Sequence, residues 1–420
     1  MPDSEGATVL DDLPEQFVVE EILFRLPPRD IVRCRAVRRC WQSATSTDRF
    51  MLDHHHRQPF LPILSHDVEP QKASLFLSFD ADAGQQRLCP VIRTLYSGIL
   101  QATCDGLLIV SHGATAHEFF ICNPVTRKYA PLRTPQNLPG FFYQIVGFYR
   151  HQPSGEYRVL WVSCPPYEYD TNHRAFYSVI AVGSNYTRHI GQGCIPQPAS
   201  PSPSLESALR EGLPGSSAYP PIHHHGSLHW TLVRYDSCDT GNIMVFNTTD
   251  ETFRLMCCPA QLPPQQLLLE MDGTLALCGI SHDRVTIDVW VIQDYDTEAW
   301  SFKHRIYLSG MDGSPSVDLN VPRMAVLSNG ELLIQFAPTH VVRCDIDGKF
   351  VDYVKSEENQ DKNLWLTKHR LQESLIPLPL SNEKQEGDDG SCFAAKVHSS
   401  AGQEKRGSAE DRLEMTWELQ

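Results

Sequence analysis

The sequence predicts a multidomain α+β chain. A small N-terminal helical unit leads into an all-β domain of propeller type with about six blades, and a disordered, acidic C-terminal tail follows. Three observations predict this. Apolar residues recur at helical spacing near the N-terminus, at Val18, Val19, Ile22, Leu23 and Leu26. From Lys72 to Lys355 that period gives way to short apolar runs bounded by Gly, Pro, Asn and Asp, as strands and tight turns require. Two turn patterns recur in that region, and in its second half successive copies lie roughly 45–60 residues apart, the length of a four-stranded blade.

The helical unit is expected over residues 11–56, after a disordered stretch at 1–10. Pro14 suits the first turn of a helix, where a missing N–H removes no hydrogen bond. Pro27 and Pro28 stop that helix, and Asp30 can cap a second one carrying Ile31, Val32, Cys34, Val37 and Trp41. Thr47 and Asp48 open a further short helix with Phe50 and Leu52 turned inward. This is more apolar surface than so few residues bury among themselves, so the unit is expected to meet a partner. Pro59 and Pro62 end the helical pattern, and the linker is placed at 57–71.

The β domain is expected over 72–380. One recurring pattern is a small turn residue, Gly and an apolar run: Asp105-Gly106-Leu107, His225-Gly226-Ser227-Leu228, Asp272-Gly273-Thr274-Leu275 and Asn329-Gly330-Glu331-Leu332. Glycine fits because it adopts positive φ freely. The other is an apolar strand, a polar turn and an aromatic residue. Asn123-Pro124-Val125-Thr126-Arg127-Lys128-Tyr129 is the cleanest copy, and the turns before Tyr157, Phe253, Trp300 and Phe350 echo it. A two-sheet sandwich is the competing architecture, but the region is long for one, and five to seven blades is the range its length allows. The Pro/Ser-rich insert at 196–221 cannot form a central strand and reads as a flexible loop, with one or two helical turns available around Leu205 to Leu213. Leu364, Trp365, Leu371, Leu375 and Ile376 are too apolar for a free tail and are expected to pack back on the β domain and help close it. From Ser381 onward the chain is Glu-, Lys-, Gly- and Ser-rich and is expected to be disordered.

Composition narrows the function. A net charge of −15 argues against broad nucleic-acid binding. No apolar run reaches the ~18 residues of a membrane span, and the acidic N-terminus is unlike a signal peptide. The 13 cysteines are scattered without regular spacing and read as reduced thiols of a cytoplasmic or nuclear protein. His54-His55-His56 and His223-His224-His225 invite a metal, but consecutive side chains diverge, so solvated histidines are expected and no metal site is assigned. No nucleophile, zinc-protease or phosphate-loop motif occurs, so no catalytic residue and no cofactor are assigned.

Two stretches resemble known modules. Leu13-Pro14, Ile22-Leu23, Arg25-Leu26-Pro27, Ile31, Val37 and Trp41 match the spacing of an F-box, with Arg38 standing where the family has Cys. CDGLLIV, FFICNPVTRKYAPL, GFYRHQPSGEYRVL, HHHGSLHW and KHRLQESLIPL resemble successive elements of the plant F-box-associated domain, with Arg150 and His151 in place of an acidic turn. The resemblance implies a substrate-recognition subunit of a Skp–cullin–F-box E3 ubiquitin ligase, non-catalytic itself. Its F-box would dock on a Skp-type adaptor, and through it a cullin, while the β domain binds an unidentified target protein. The adaptor contacts it implies are Leu13, Pro14, Val18, Ile22, Leu23, Leu26, Pro27, Ile31, Val32, Val37 and Trp41. Trp41 also suits the core of the helical unit. The alternative is a non-catalytic propeller scaffold or lectin-like binding module acting outside a ubiquitin ligase. The basic run from Arg25 to Arg39 reads as a solvated helix face or as a rim that steers toward an acidic adaptor surface.

Overall fold

The computed structural model describes residues 13–68, 73–82, 85–94, 98–112, 118–135, 141–164, 175–190, 203–232, 242–259, 262–263, 265–281, 286–308, 323–337, 340–355 and 364–379. The stretches expected to be disordered at 1–10 and 381–420 lie outside them.

The helical unit opens with a short turn α1 (Glu15–Phe17) that widens into a π turn over Val18–Ile22 and tightens to a 3-10 turn over Leu23–Arg25. A regular helix was the sequence expectation. The departure has a packing reason. Val18 and Leu23 are both buried beside Trp41, yet five residues of regular α-helix would set them about 140° apart. The π turn brings them to one side. Three more helices follow: α2 (Pro28–Arg35), α3 (Arg39–Thr45) and α4 (Asp48–His55). Pro28 sits at the start of α2, and Thr47 caps α4 by accepting a hydrogen bond from the Phe50 amide.

The described strands form six four-stranded sheets. The first holds β1 (Leu61–Val68), β2 (Ala73–Asp82) and β3 (Gln85–Thr94). The second is β4 (Ile99–Cys104), β5 (Leu107–His112), β6 (Glu118–Asn123) and β7 (Lys128–Leu132). The third is β8 (Phe142–Arg150), β9 (Tyr157–Cys164), β10 (Phe176–Ala181) and β11 (Thr187–Ile190). The fourth is β12 (Ile222–His224), β13 (Ser227–Thr231), β14 (Ile243–Asn247) and β15 (Thr252–Met256). The fifth is β16 (Gln265–Met271), β17 (Thr274–Ile280), β18 (Thr286–Asp294) and β19 (Ala299–Tyr307). The sixth is β20 (Arg323–Val326), β21 (Leu332–Ala337), β22 (His340–Cys344) and β23 (Phe350–Tyr353).

The last strand, β24 (Leu364–Leu371), returns to the first sheet and pairs with β1 from Leu61↔Leu371 to His66↔Leu364. The ring therefore closes with one C-terminal strand beside three N-terminal ones. Apolar clusters span each junction around the ring. Ile63 and Phe76 meet Leu108 and Val110, Leu107 and Ile109 meet Phe148 and Trp161, and Tyr149 and Leu160 meet Leu228 and Phe246. Val245 and Met256 then meet Leu275 and Leu277, Met271 and Cys278 meet Met324 and Cys344, and Leu333 and Val341 meet Leu64 and Leu366. This is a six-bladed β-propeller.

Both turn patterns have a physical basis. Asp105-Gly106, His225-Gly226 and Asp272-Gly273 carry positive φ at both central residues, the form of a tight hairpin turn between the first two strands of a blade. In the second pattern a side-chain oxygen accepts backbone amides ahead of it: Asn123 from Val125 and Thr126, Asn247 from Thr249 and Asp250, Asp294 from Asp296 and Thr297. Asp345 does the same for Asp347 and Lys349. These turns join the third and fourth strands of their blades. The turn before Tyr157 does not belong with them, because it joins the first and second strands of the third blade.

Two segments depart from expectation. The linker placed at 57–71 contains β1: Leu61, Pro62 and Leu64 to His66 pair with β24 once the helical pattern has ended. The described part of the insert is folded. Its helix α5 (Pro203–Glu211) buries Leu205 and Ala208, followed by Leu213, against Val162 and Trp230. The Tyr177 hydroxyl donates to the Leu209 carbonyl at 3.3 Å and accepts from the Leu213 amide at 3.1 Å. The apolar spacing of Leu205, Ala208, Leu209 and Leu213 overrides the loop-forming Pro and Ser content.

Candidate functional site

Among the described residues, two features near the helical end bear on binding: the outer surface of the helical unit and a cavity between the innermost strands.

The helical unit sits on the propeller end formed by the Asp105-Gly106 turn and the segment after β24. Ile31, Met51, Leu375 and Ile376 share one core cluster with Leu107, Phe119 and Trp161. Polar contacts fix the junction. Arg29 Nε donates to Glu373 Oε1 at 3.1 Å and its Nη2 to the Pro90 carbonyl at 3.1 Å. Gln372 Nε2 donates to the Gln58 carbonyl at 2.8 Å. His54 Nε2 donates to the Leu26 carbonyl at 2.8 Å, and His55 Nδ1 to the Glu373 carbonyl at 3.2 Å. His54 and His55 are thus buried fixtures, against the expectation of solvated side chains; His56, His223 and His225 are exposed as expected. Met51, His54 and His55 lie at i, i+3 and i+4, so the buried face of α4 was visible in the spacing once histidine was admitted to it.

Asp105 lies under this junction. Burial disfavours its ionised form, but His55 at 3.8 Å and the Tyr157 hydroxyl at 2.9 Å outweigh that and hold the carboxyl below its usual range. Gly106 is required here. It has φ +77°, and a Cβ would lie 2.5 Å from Ser374 Oγ and 2.7 Å from the Gln372 carbonyl oxygen.

The residues implied as adaptor contacts separate into distinct environments. Val18, Leu23 and Trp41 are the internal core of the helical unit. Ile31 is fully buried against the propeller, and Leu26 and Val32 pack there too. Pro14, Pro27 and Val37 are exposed, Val37 by 68%, and Leu13 and Ile22 are half-buried. Phe17, absent from the sequence reading, is 49% exposed in the same first turn. Its signal was a large aromatic off the apolar stripe of the helix. The basic run is partly engaged: Arg25 pairs with Glu21, Arg33 with Asp30 and Arg29 with Glu373, while Arg35 bonds Thr45.

The cavity has a volume of about 180 Å³. The innermost strands of five blades wall it, with Cys104, Phe148, His223, Glu270, Lys368 and Arg370 among its lining. Arg370 stacks over Phe60 and pairs with Glu270 at 2.5 Å. Among the described residues no group of three or more His, Cys, Asp or Glu is placed to hold a metal, and no helix is long and apolar enough to cross a membrane.

Comparison with known proteins agrees with the geometry. Residues 85–378 match the family model described as the F-box associated beta propeller domain. An Arabidopsis thaliana F-box protein is 25% identical over 358 residues, covering 76% of this chain and 84% of its own. Another is 23% identical over 294 residues, 67% of each chain. A third is 22% identical over 395 residues, 90% of this chain and 99% of its own.

Proposed function

Since the chain belongs to the plant family of F-box proteins with an F-box-associated β-propeller, we propose that it is the substrate-recognition subunit of a Skp–cullin–F-box E3 ubiquitin ligase. The helical unit docks on a Skp-type adaptor, which joins it to a cullin, and the propeller binds the protein to be modified. The subunit itself makes and breaks no bond. It contributes proximity, holding a target lysine near a conjugating enzyme brought by the other subunits. Cytoplasm and nucleus are the compartments proposed for it.

One observation carries the reading. The helical unit is fastened to one end of the propeller by buried contacts, yet keeps Pro14, Phe17 and Val37 in solvent. With the half-buried Leu13 and Ile22 they leave the unit apolar surface for a partner to cover. In a radial array the innermost strands run the same way along the axis, so the starts of β8 and β10 lie at the end away from the helices. Phe142 and Phe176 are exposed there, with Phe141 6.0 Å from the Phe176 ring. That rim is the proposed target-binding end.

Co-expression with a Skp-type adaptor and a cullin tests the assignment. A stoichiometric complex that survives gel filtration is expected. Failure of the intact, folded chain to associate with any adaptor returns the protein to the class of free-standing propeller scaffolds.

A further inference from the structure

The innermost strand β24 is irregular where it borders the central cavity. Its register against β1 jumps from Leu64↔Leu366 to Pro62↔Arg370, so Thr367, Lys368 and His369 oppose Ile63 alone. A bulge breaks the alternation of a strand and re-aims its side chains. Here it lets the consecutive Lys368 and His369 line the same cavity. Thr367 fixes the bulge by donating its hydroxyl to the Ile63 carbonyl at 2.6 Å.

The charges around the cavity are unevenly satisfied. Glu270 pairs with Arg370, and Asp105 is held by Tyr157 and faces His55. The Lys368 ammonium has no carboxylate within ion-pair distance among the described residues; its one polar contact there is the Tyr219 ring, 4.0 Å away. Burial and the nearby Arg323 push its pKa down to about 8, which still leaves the amine mostly protonated near pH 7. His369 is 2% exposed; the backbone of Leu100 and Ser216 lies beside its ring, and its Nε2 makes no well-aligned hydrogen bond among the described residues. A half-buried cation without a carboxylate partner, beside a buried neutral imidazole, favours a site that takes an anion. The volume of about 180 Å³ far exceeds the ~10–15 Å³ that one water needs.

We propose that this cavity binds a small oxyanion group, a carboxylate or a phosphate, with Lys368 as its counter-ion and His369 as a hydrogen-bonding partner. The group arrives either on a free small molecule or on an acidic side chain of a bound peptide. The site is separate from the helical face, so its loss leaves adaptor docking intact.

Calorimetric titration of the full chain at low ionic strength tests this, with inorganic phosphate, succinate and an acetylated, amidated Gly-Asp-Gly peptide as probes. Saturable one-site binding of at least one probe is expected. It should weaken at least tenfold in both Lys368→Met and Lys368→Gln, and stay within about threefold in Lys368→Arg and in the surface control Lys303→Met. Phosphate or succinate binding identifies a free anion as the ligand; binding of the peptide alone identifies a side chain. Melting temperatures at or above the parent's verify that the neutral variants fold. Absence of saturable binding for all three probes, or binding unchanged in both neutral variants, overturns the proposal.

Discussion

Arg29 of α2 and Glu373 of the segment after β24 meet across the junction between the helical unit and the propeller, Nε 3.1 Å from Oε1. The carboxylate is the more enclosed partner, and burial raises its pKa against the pull of the guanidinium. Arg29→Ala strands that carboxylate, whereas Glu373→Gln keeps a hydrogen-bond acceptor. Because Arg29 is 41% exposed, the loss for Arg29→Ala should be about 1–2 kcal/mol rather than the larger cost of a fully buried pair. Urea unfolding measures it. Equal stability of Arg29→Ala and the parent means that the junction rests on its apolar packing and its other hydrogen bonds.

Asn123 ties the ring closure to the second blade. Its Nδ2 donates to the Ser374 and Ile376 carbonyls at 3.1 and 2.8 Å, while its Oδ1 accepts the Val125 and Thr126 amides. Asn123→Ala leaves buried amides and carbonyls unpaired and should cost roughly 2–4 kcal/mol. Hydrogen exchange should accelerate first at Leu375 and Ile376. Faster exchange confined to the outer strand β7 argues instead for a purely local turn.

Stability should fall on acidification below about pH 6.5. Burial holds His229 down to about 3 and His369 to about 4, and it lowers His54 as well. These rings stay neutral in the folded chain but gain protons in the unfolded one. Above the unfolded value their stabilising effect is complete. Between it and the folded values the unfolded state binds more protons, so stability drops as pH falls, by on the order of a few kcal/mol each for His229 and His369. His229→Asn should flatten the curve of melting temperature against pH over that window. A slope identical to the parent's contradicts the assignment to His229.

Much of this was legible from sequence because turn chemistry is local. Positive φ at Asp105-Gly106 and Asp272-Gly273 needs specific residue types, and the Asn and Asp turn acceptors write the same pattern before Tyr129, Phe253 and Trp300. The position of the closing strand was also readable, since Leu364, Trp365 and Leu371 bring large apolar side chains after a charged break. What escaped was tertiary. Nothing near Ile31 in the sequence reveals that its partner is the propeller, 344 positions on in the case of Arg29 and Glu373. The same holds for the bulge at Lys368, which depends on the register against β1.

The account separates residues that build the helical unit from residues that meet its partner. Trp41→Ala should lower the melting temperature, because it removes part of the cluster with Val18 and Leu23. Val37→Asp should leave the melt unchanged and weaken adaptor binding by at least fivefold, since Val37 is exposed and packs in none of the apolar clusters among the described residues. Parallel losses of melt and binding in Val37→Asp contradict this division.

The most direct measurement is the affinity of the intact chain for a purified Skp-type adaptor, compared between the parent and the double variant Pro14→Ala with Phe17→Asp. Both side chains are exposed at the start of the first helix. Losing a central apolar anchor typically costs ~2–4 kcal/mol. The account predicts a dissociation constant raised by well over tenfold with an unchanged melting temperature. An unchanged dissociation constant in the folded double variant contradicts it.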